Sequence, residues 1–163
     1  MKKKKDVKLD SDYIIKLIKD STSSKDLGRK LKKYYKYKMG NYNSINAICI
    51  LKSEKVQGTV YFHQCKPKLP VKVKFSLKGE PFKTHAIHIH EFGDMTNGCD
   101  TLGPHYNPYN TTHGSMLYNM ERHAGDLINN ITFDKDGNFQ YEYEDYLLNL
   151  YPNSENIMGR SIV

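Results

Sequence analysis

The sequence predicts an all-β domain, an antiparallel sandwich or barrel, carrying a basic N-terminal extension. Three observations point there. Val71, Val73, Phe75 and Leu77 alternate with Lys72, Lys74, Ser76 and Lys78, the pattern of a half-buried strand with a lysine-rich outer face. Phe139, Tyr141 and Tyr143 alternate with Gln140, Glu142 and Glu144 in the same way. Beyond residue 44 these short runs follow one another with no helical period between them.

Along the chain, residues 1–43 read as the extension. Tyr13, Ile14, Leu17 and Ile18 recur at roughly helical spacing after Asp10 or Ser11, either of which could cap a helix. Asp20-Ser-Thr-Ser-Ser24 interrupts this run. A second, Leu27 to Tyr37, places Leu27, Leu31, Tyr34 and Tyr35 on one side among lysines. Gly28 within it costs about 1 kcal/mol relative to Ala. Gly40-Asn-Tyr-Asn43 reads as a linker. The domain then begins at residue 44. Ile45 to Leu51 and Val56 to His63 form a hairpin around Lys52-Ser-Glu-Lys55. Ile131 to Phe133 is expected to be the partner strand of Phe139 to Tyr143, joined by the turn Asp134-Lys-Asp-Gly137. Between Glu91 and Asn130 lies a long stretch rich in Gly, Asn, Pro and His, and so long a loop in a compact domain points to function.

Charge is divided as sharply as periodicity. The net charge is +7 over 163 residues, yet residues 1–40 hold 14 Lys+Arg against 5 Asp+Glu, a net of +9. Residues 41–163 hold 11 against 13, a net of −2, so a nucleic-acid or polyanion contact would rest on residues 1–40 alone. Charge runs are usually solvated. No apolar run nears the ~18 residues of a membrane span. Met1-Lys-Lys-Lys-Lys5 is not followed by the apolar stretch of a signal peptide, because Asp6, Lys8, Asp10 and Asp12 interrupt it. The expected location is the cytoplasm. Three cysteines, Cys49, Cys65 and Cys99, with no C-x-x-C pair, exclude a disulfide scaffold, a zinc finger and a thioredoxin site.

Metal chemistry therefore falls to the histidines, and six of the seven lie within residues 85–126. In a strand, positions i and i+2 share a face, so His88 and His90 project together about 7 Å apart. Alone, such a pair is more readily a surface feature. Downstream, His105, His113 and His123 with Asp126 offer three imidazoles and a carboxylate, which suits a closed four-coordinate zinc site as well as it suits a polar loop. The crowding of histidines into one segment favours metal. Glu121 and Arg122 read as an ordinary salt-bridge neighbourhood of that loop.

The segment His85-Ala-Ile-His88-Ile-His90-Glu-Phe-Gly-Asp94 resembles the copper-site signature of the copper/zinc superoxide dismutases. Asn97-Gly-Cys99, Gly103-Pro-His105-Tyr-Asn-Pro108, His113-Gly114 and Glu121-Arg-His123-Ala-Gly-Asp126 follow in the family's order. The resemblance covers about residues 45–163, and the M-x-C-x-x-C motif of the related copper chaperones is missing. It implies a Greek-key antiparallel β-barrel with an immunoglobulin-like sandwich and a long metal-binding loop. It implies copper on His88, His90 and His105, and zinc on His105, His113, His123 and Asp126. His105 then bridges the two metals and is catalytic. The implied reaction is copper-cycled disproportionation of superoxide to oxygen and hydrogen peroxide, by a homodimer, with zinc stabilising the site. His85 matches a loop-tying residue that is not a ligand, and Cys99 matches a cysteine that forms a disulfide.

In the family a fourth copper histidine, a linking aspartate, an active-site arginine and the partner of Cys99 follow the position of Val163. The expectation is a fragment of a longer chain, with Cys99 as a free thiol. Two other readings stay open: a non-enzymatic relative that binds metal or a protein partner, and polyanion binding through residues 1–40.

Overall fold

The computed structural model describes residues 18–39, 42–117 and 121–163. The proposed helix around Tyr13 to Leu17 and the residues Gly40 and Asn41 lie outside these. The chain divides into two compact units, 1–43 and 44–163.

In the first unit, helix α1 spans Ser24–Met39 and contains the Leu27 to Tyr37 run. Its start is fixed by Ser23, whose Oγ accepts the Asp26 N–H at 3.1 Å, while Asp26 Oδ2 reaches back to the Thr22 N–H at 3.4 Å. Lys30 and Arg29 beside it lower the Asp26 carboxyl to about 2. Leu27 and Leu31 are half-buried, while Lys25, Arg29, Lys32 and Lys33 are exposed.

The second unit is made of antiparallel strands: β1 Ile45–Lys52, β2 Val56–Gln64, β3 Val71–Gly79, β4 Thr84–His88, β5 Asp126–Thr132 and β6 Asn138–Asp145. One sheet has the order β1-β2-β3-β6, and β4 pairs with β5 in the other. The period-2 pattern of β3 is realised in full. Val71, Val73, Phe75 and Leu77 are buried and the lysines between them are exposed. Burying each such side chain is worth about 1.5–3 kcal/mol. They pack with Val60, Phe62, Ile87, Ile89, Leu127, Ile128, Ile131 and Phe133 in one core. The β1–β2 hairpin forms around residues 53–55, closed by the Ser53 N–H on the Val56 carbonyl at 3.1 Å.

One expectation is corrected. Residues 131–133 and 139–143 are not paired strands: β6 pairs with β3, and β5 pairs with β4. The Asp134–Gly137 turn forms as expected, with Asp134 Oδ1 accepting the N–H groups of Asp136 and Asn138 at 2.9 and 2.7 Å, but it carries the chain from one sheet to the other. The outer faces explain the choice. In the β3–β6 register Lys72 lies opposite Glu144 and Lys74 opposite Glu142, and Lys72 Nζ reaches Glu142 Oε1 at 2.9 Å. Opposite charges across strands favour this pairing. On the inner face Phe75 meets Phe139 edge-on at 6.0 Å and stacks on Tyr143 at 6.1 Å.

Candidate metal centre

Strand β4 and the segments beside it carry the histidines. His88, at the end of β4, is in register with Asp126 at the start of β5. Two residues on, His90 bridges to His105. The backbone is stitched around them: the Ile89 N–H donates to the Gly125 carbonyl, the Tyr106 N–H to the Ile89 carbonyl and the Gly125 N–H to the Tyr106 carbonyl, each at 2.8 Å. Gly125 has to be glycine, because a Cβ there would meet the Ile89 carbonyl oxygen at 2.2 Å. Ile89, between the two histidines, is buried in the core, so His88 and His90 are turned the other way.

Asp126 is the focus. Its carboxylate is fully buried and faces three imidazoles. His105 Nδ1 stands 2.8 Å from Oδ1, His113 Nδ1 3.0 Å from Oδ2 and His123 Nδ1 3.3 Å from Oδ1. The N–H groups of Gly114 and His123 donate to Oδ2 at 2.8 and 3.1 Å. Burial raises the Asp126 pKa, but the Gly114 N–H, His105 and His123 outweigh it and hold the carboxyl below its ordinary value. The four donor atoms lie within 4.8 Å of one another.

The residues fit a zinc ion on an observation of their own. His123 Nδ1 is buried and makes no hydrogen bond; its 3.3 Å approach to Asp126 is within ion-pair range but is not a donor–acceptor alignment. A buried nitrogen aimed at a carboxylate without bonding it is costly unless something binds both. Three imidazoles and a carboxylate at such spacing form the closed tetrahedral set zinc takes, with bonds of about 2.0–2.2 Å.

On the other side of His105, His88 stacks on its ring at 4.0 Å between centroids and His90 meets it edge-on at 5.1 Å. His90 Nδ1 lies 2.8 Å from the Gly103 carbonyl, so that nitrogen is the donor and Nε2 keeps its lone pair. His88 Nε2 lies 2.8 Å from Asn129 Oδ1. Burial lowers the pKa of both His88 and His105, against the hydrogen bonds from Asn129 and Asp126 that raise them. Three neutral imidazoles suit copper, and the bare nitrogen of His90 gives it a donor.

Thus all six proposed ligands, His88, His90, His105, His113, His123 and Asp126, fall in one cluster. His85 stands apart, edge-on to Phe133 at 5.9 Å. His63 is bonded through Nδ1 to Asn46 Oδ1 at 2.7 Å on β1. Cys49, Cys65 and Cys99 are all free thiols, with Cys99 exposed.

Sequence reasoning missed how Arg122 is used. Its guanidinium is buried and holds both oxygens of buried Asp145 at 2.7 Å. Its Nη1 also donates to the carbonyls of Asp126 at 2.9 Å and His123 at 3.2 Å. Arg122 thereby fixes the backbone that presents His123 and Asp126 from the end of β6. Asp145, the last residue of the β6 alternation, was the available signal, but its distance of 23 positions from Arg122 hid the pairing.

Comparison with known proteins shows the family. Residues 56–163 match the family model described as copper/zinc superoxide dismutase (SODC). A Superoxide dismutase [Cu-Zn] of Onchocerca volvulus is 46% identical over 121 residues, 74% of each chain. That of Humicola lutea is 40% identical, over 73% of this chain and 77% of its own. The crystal structure of the clock protein EA4 superposes with a TM-score of 0.66 at 31% identity, covering 76% of both chains. The chain belongs to the copper/zinc superoxide dismutase family.

Proposed function

We infer that the protein is a copper- and zinc-dependent superoxide dismutase, converting two superoxide anions and two protons to oxygen and hydrogen peroxide. The observation that carries this reading is the placement of His105. Its Nδ1 faces the Asp126 carboxylate at 2.8 Å, and its ring packs against His88 and His90. Histidine alone among side chains has two donor atoms on opposite edges of one ring. It can therefore serve a zinc set of His105, His113, His123 and Asp126 and a copper set that includes His88, His90 and His105. Copper supplies the one-electron redox couple, and zinc supplies a fixed, redox-silent charge.

The residues do the remaining work. Asp126 orients three imidazoles at once and is itself held by the Gly114 and His123 N–H groups. The Gly103 carbonyl holds the proton of His90 on Nδ1, which keeps Nε2 bare. With zinc on Nδ1, His105 Nε2 would be free to carry one of the two protons the reaction consumes and to pass it to the reduced oxygen. The test is superoxide consumption by the metal-loaded protein. His105→Phe is expected to lower it by about 10²-fold or more, the usual size of a proton-transfer contribution. Consumption unchanged in that variant would overturn the reading.

Superoxide is the substrate, and a homodimer is the assembly we carry forward from the family. The cytoplasm is the location we carry forward from the sequence, in which Asp6, Lys8, Asp10 and Asp12 interrupt any apolar stretch after the first lysines. Among the described residues no helix is long and apolar enough to cross a membrane. Residues 1–43 are proposed as a separable extension, supported by their net positive charge against a mildly acidic domain. Deleting residues 1–40 is expected to leave zinc stoichiometry and melting temperature unchanged. A loss of either would mean that the extension contributes to the domain.

A further inference from the structure

Helix α1 sorts its charge onto one side. Between Ser24 and Met39 the sequence has seven Lys and Arg against a single acid, Asp26. At about 100° of rotation per residue, Lys25, Arg29, Lys32 and Lys33 fall within an arc of about 100°. All four are exposed. Leu27 and Leu31 lie on the opposite side and are half-buried. Asp26, between the two sides, is already engaged: Arg29 Nη2 meets Oδ1 at 2.9 Å and Lys30 Nζ meets Oδ2 at 2.8 Å. The exposed side therefore presents a row of cations with no acid among them.

Such a row is unfavourable by itself. Lys25 and Arg29 stand at i, i+4, as do Arg29 and Lys33, and Arg29 and Lys32 stand at i, i+3. Like charges at these spacings weaken a helix, and an anion lying along the row removes the repulsion. The row runs about 12 Å from Lys25 to Lys33, at about 1.5 Å per residue. Duplex nucleic acid carries one charge per about 1.7 Å of its axis, so about seven phosphates lie along that length. A bilayer fits less well. A helix seats on a membrane by sinking its apolar side into the acyl boundary. Here that side is half-buried already, and seating on it would turn the cations towards water. The rest of the chain adds no attraction, since residues 41–163 carry a net charge of −2.

We propose that the face of α1 formed by Lys25, Arg29, Lys32 and Lys33 docks on the phosphodiester backbone of duplex nucleic acid. Contacts to phosphate carry no sequence information, so the docking is without base preference. It does not depend on the metal centre. Where the superoxide-consuming function holds as well, the helix concentrates that domain at nucleic acid.

The test is fluorescence anisotropy of the full chain, metal-free and metal-loaded, with two short labelled DNA duplexes of unrelated sequence over a series of salt concentrations. Both duplexes are expected to bind alike, with a Kd between about 10⁻⁴ and 10⁻⁶ M near physiological salt, the usual range of non-specific binding. The log–log salt slope is expected at about −3.6 or steeper, since each neutralised phosphate contributes about −0.9. The variant Lys25→Gln/Arg29→Gln/Lys32→Gln/Lys33→Gln keeps residues of similar helix propensity. It is expected to bind about 10²-fold or more weakly and to flatten the slope by about 3–4. Vesicles of phosphatidylserine and phosphatidylcholine are expected to bind the chain more weakly than the duplexes do. A wild-type slope shallower than about −2 overturns the proposal, even if the variant does not fold. So does a variant with wild-type affinity, or binding that appears only in the metal-loaded protein, which would move the contact to the other unit. Vesicles that outcompete the duplexes overturn it in favour of a membrane surface. Loss of superoxide consumption with duplex binding intact would overturn the dismutase reading alone.

Discussion

On one side of His105 a buried carboxylate gathers its partners; on the other, imidazoles are held one at a time by neutral acceptors. Asp126 faces three ring nitrogens within 3.3 Å and is anchored by two backbone N–H groups. His90 and His88 lean on the Gly103 carbonyl and the Asn129 amide, each at 2.8 Å. The first arrangement has one charged hub, so its members depend on a single atom group. The second is distributed, and losing one acceptor frees one ring. An ionic hub buried this deeply is favourable only while its donors are in place. The difference therefore predicts unequal sensitivity to substitution.

The largest effect is expected from Asp126→Ala. It removes a zinc ligand and strands the Gly114 and His123 N–H groups that donate to the carboxylate. Zinc affinity should fall by more than roughly 100-fold, the upper end of what loss of a mere supporting partner costs. The metal-free chain should lose about 3 kcal/mol by urea unfolding, since buried donors left unpaired cost about 1–3 kcal/mol each. Retention of full zinc binding by isothermal titration would remove the hub from the comparison.

A smaller effect on zinc affinity, though not on stability, is expected from Asp145→Ala, which leaves the buried Arg122 guanidinium without its counter-ion. Breaking such a pair costs about 3–5 kcal/mol, which for a domain of this size lowers the melting temperature by about 12–20 °C. The double variant Arg122→Met/Asp145→Leu sharpens the result. Two apolar side chains should recover part of the stability, as replaced buried pairs often do. Zinc affinity should not recover, because the Arg122 bonds to the Asp126 and His123 carbonyls are gone. A double variant with wild-type zinc affinity would make Arg122 structural only.

These two predictions differ in how far the sequence foretells them. The crowding of histidines from His88 to His123 was legible from residue type, their division into copper and zinc sets was implied only by the family resemblance, and the β3 alternation was legible because period 2 is local. Arg122–Asp145, the β6–β3 pairing and Asn129 were not. Each depends on which distant segment arrives opposite, and that is decided by outer-face charges, a bulge and core packing across two sheets. The Asp134–Gly137 turn shows the limit well: its residues specify a turn, while the strands it serves are chosen by Lys72, Lys74, Glu142 and Glu144. Asn129 is one of a pair of adjacent asparagines, and only the register slip between β4 and β5 gives it a direction.

The smallest effect expected is the pH dependence of the metal-free chain, and its sign follows from burial. His88 and His105 have their pKa values lowered below the ordinary 6.5, with desolvation the leading cause in both. In the unfolded chain both rings protonate near that value, whereas the folded chain resists. Between the folded and unfolded pKa values the unfolded state therefore binds more protons, and stability falls as pH falls. Above about pH 7 the urea midpoint should be flat. Below about 6.5 it should decline, each ring contributing at most about 1.4 kcal/mol per pH unit. The comparison of the two sides enters through the opposing groups. Asp126, a charge, offsets the burial of His105, while the Asn129 amide, a neutral dipole, offsets that of His88. Replacing Asp126 by Asn removes the charged offset, so the decline should steepen. His88→Asn removes one titrating ring and should make the decline shallower. Midpoints that rise on acidification, or a slope indifferent to both substitutions, would show that these rings do not carry the pH response of the fold.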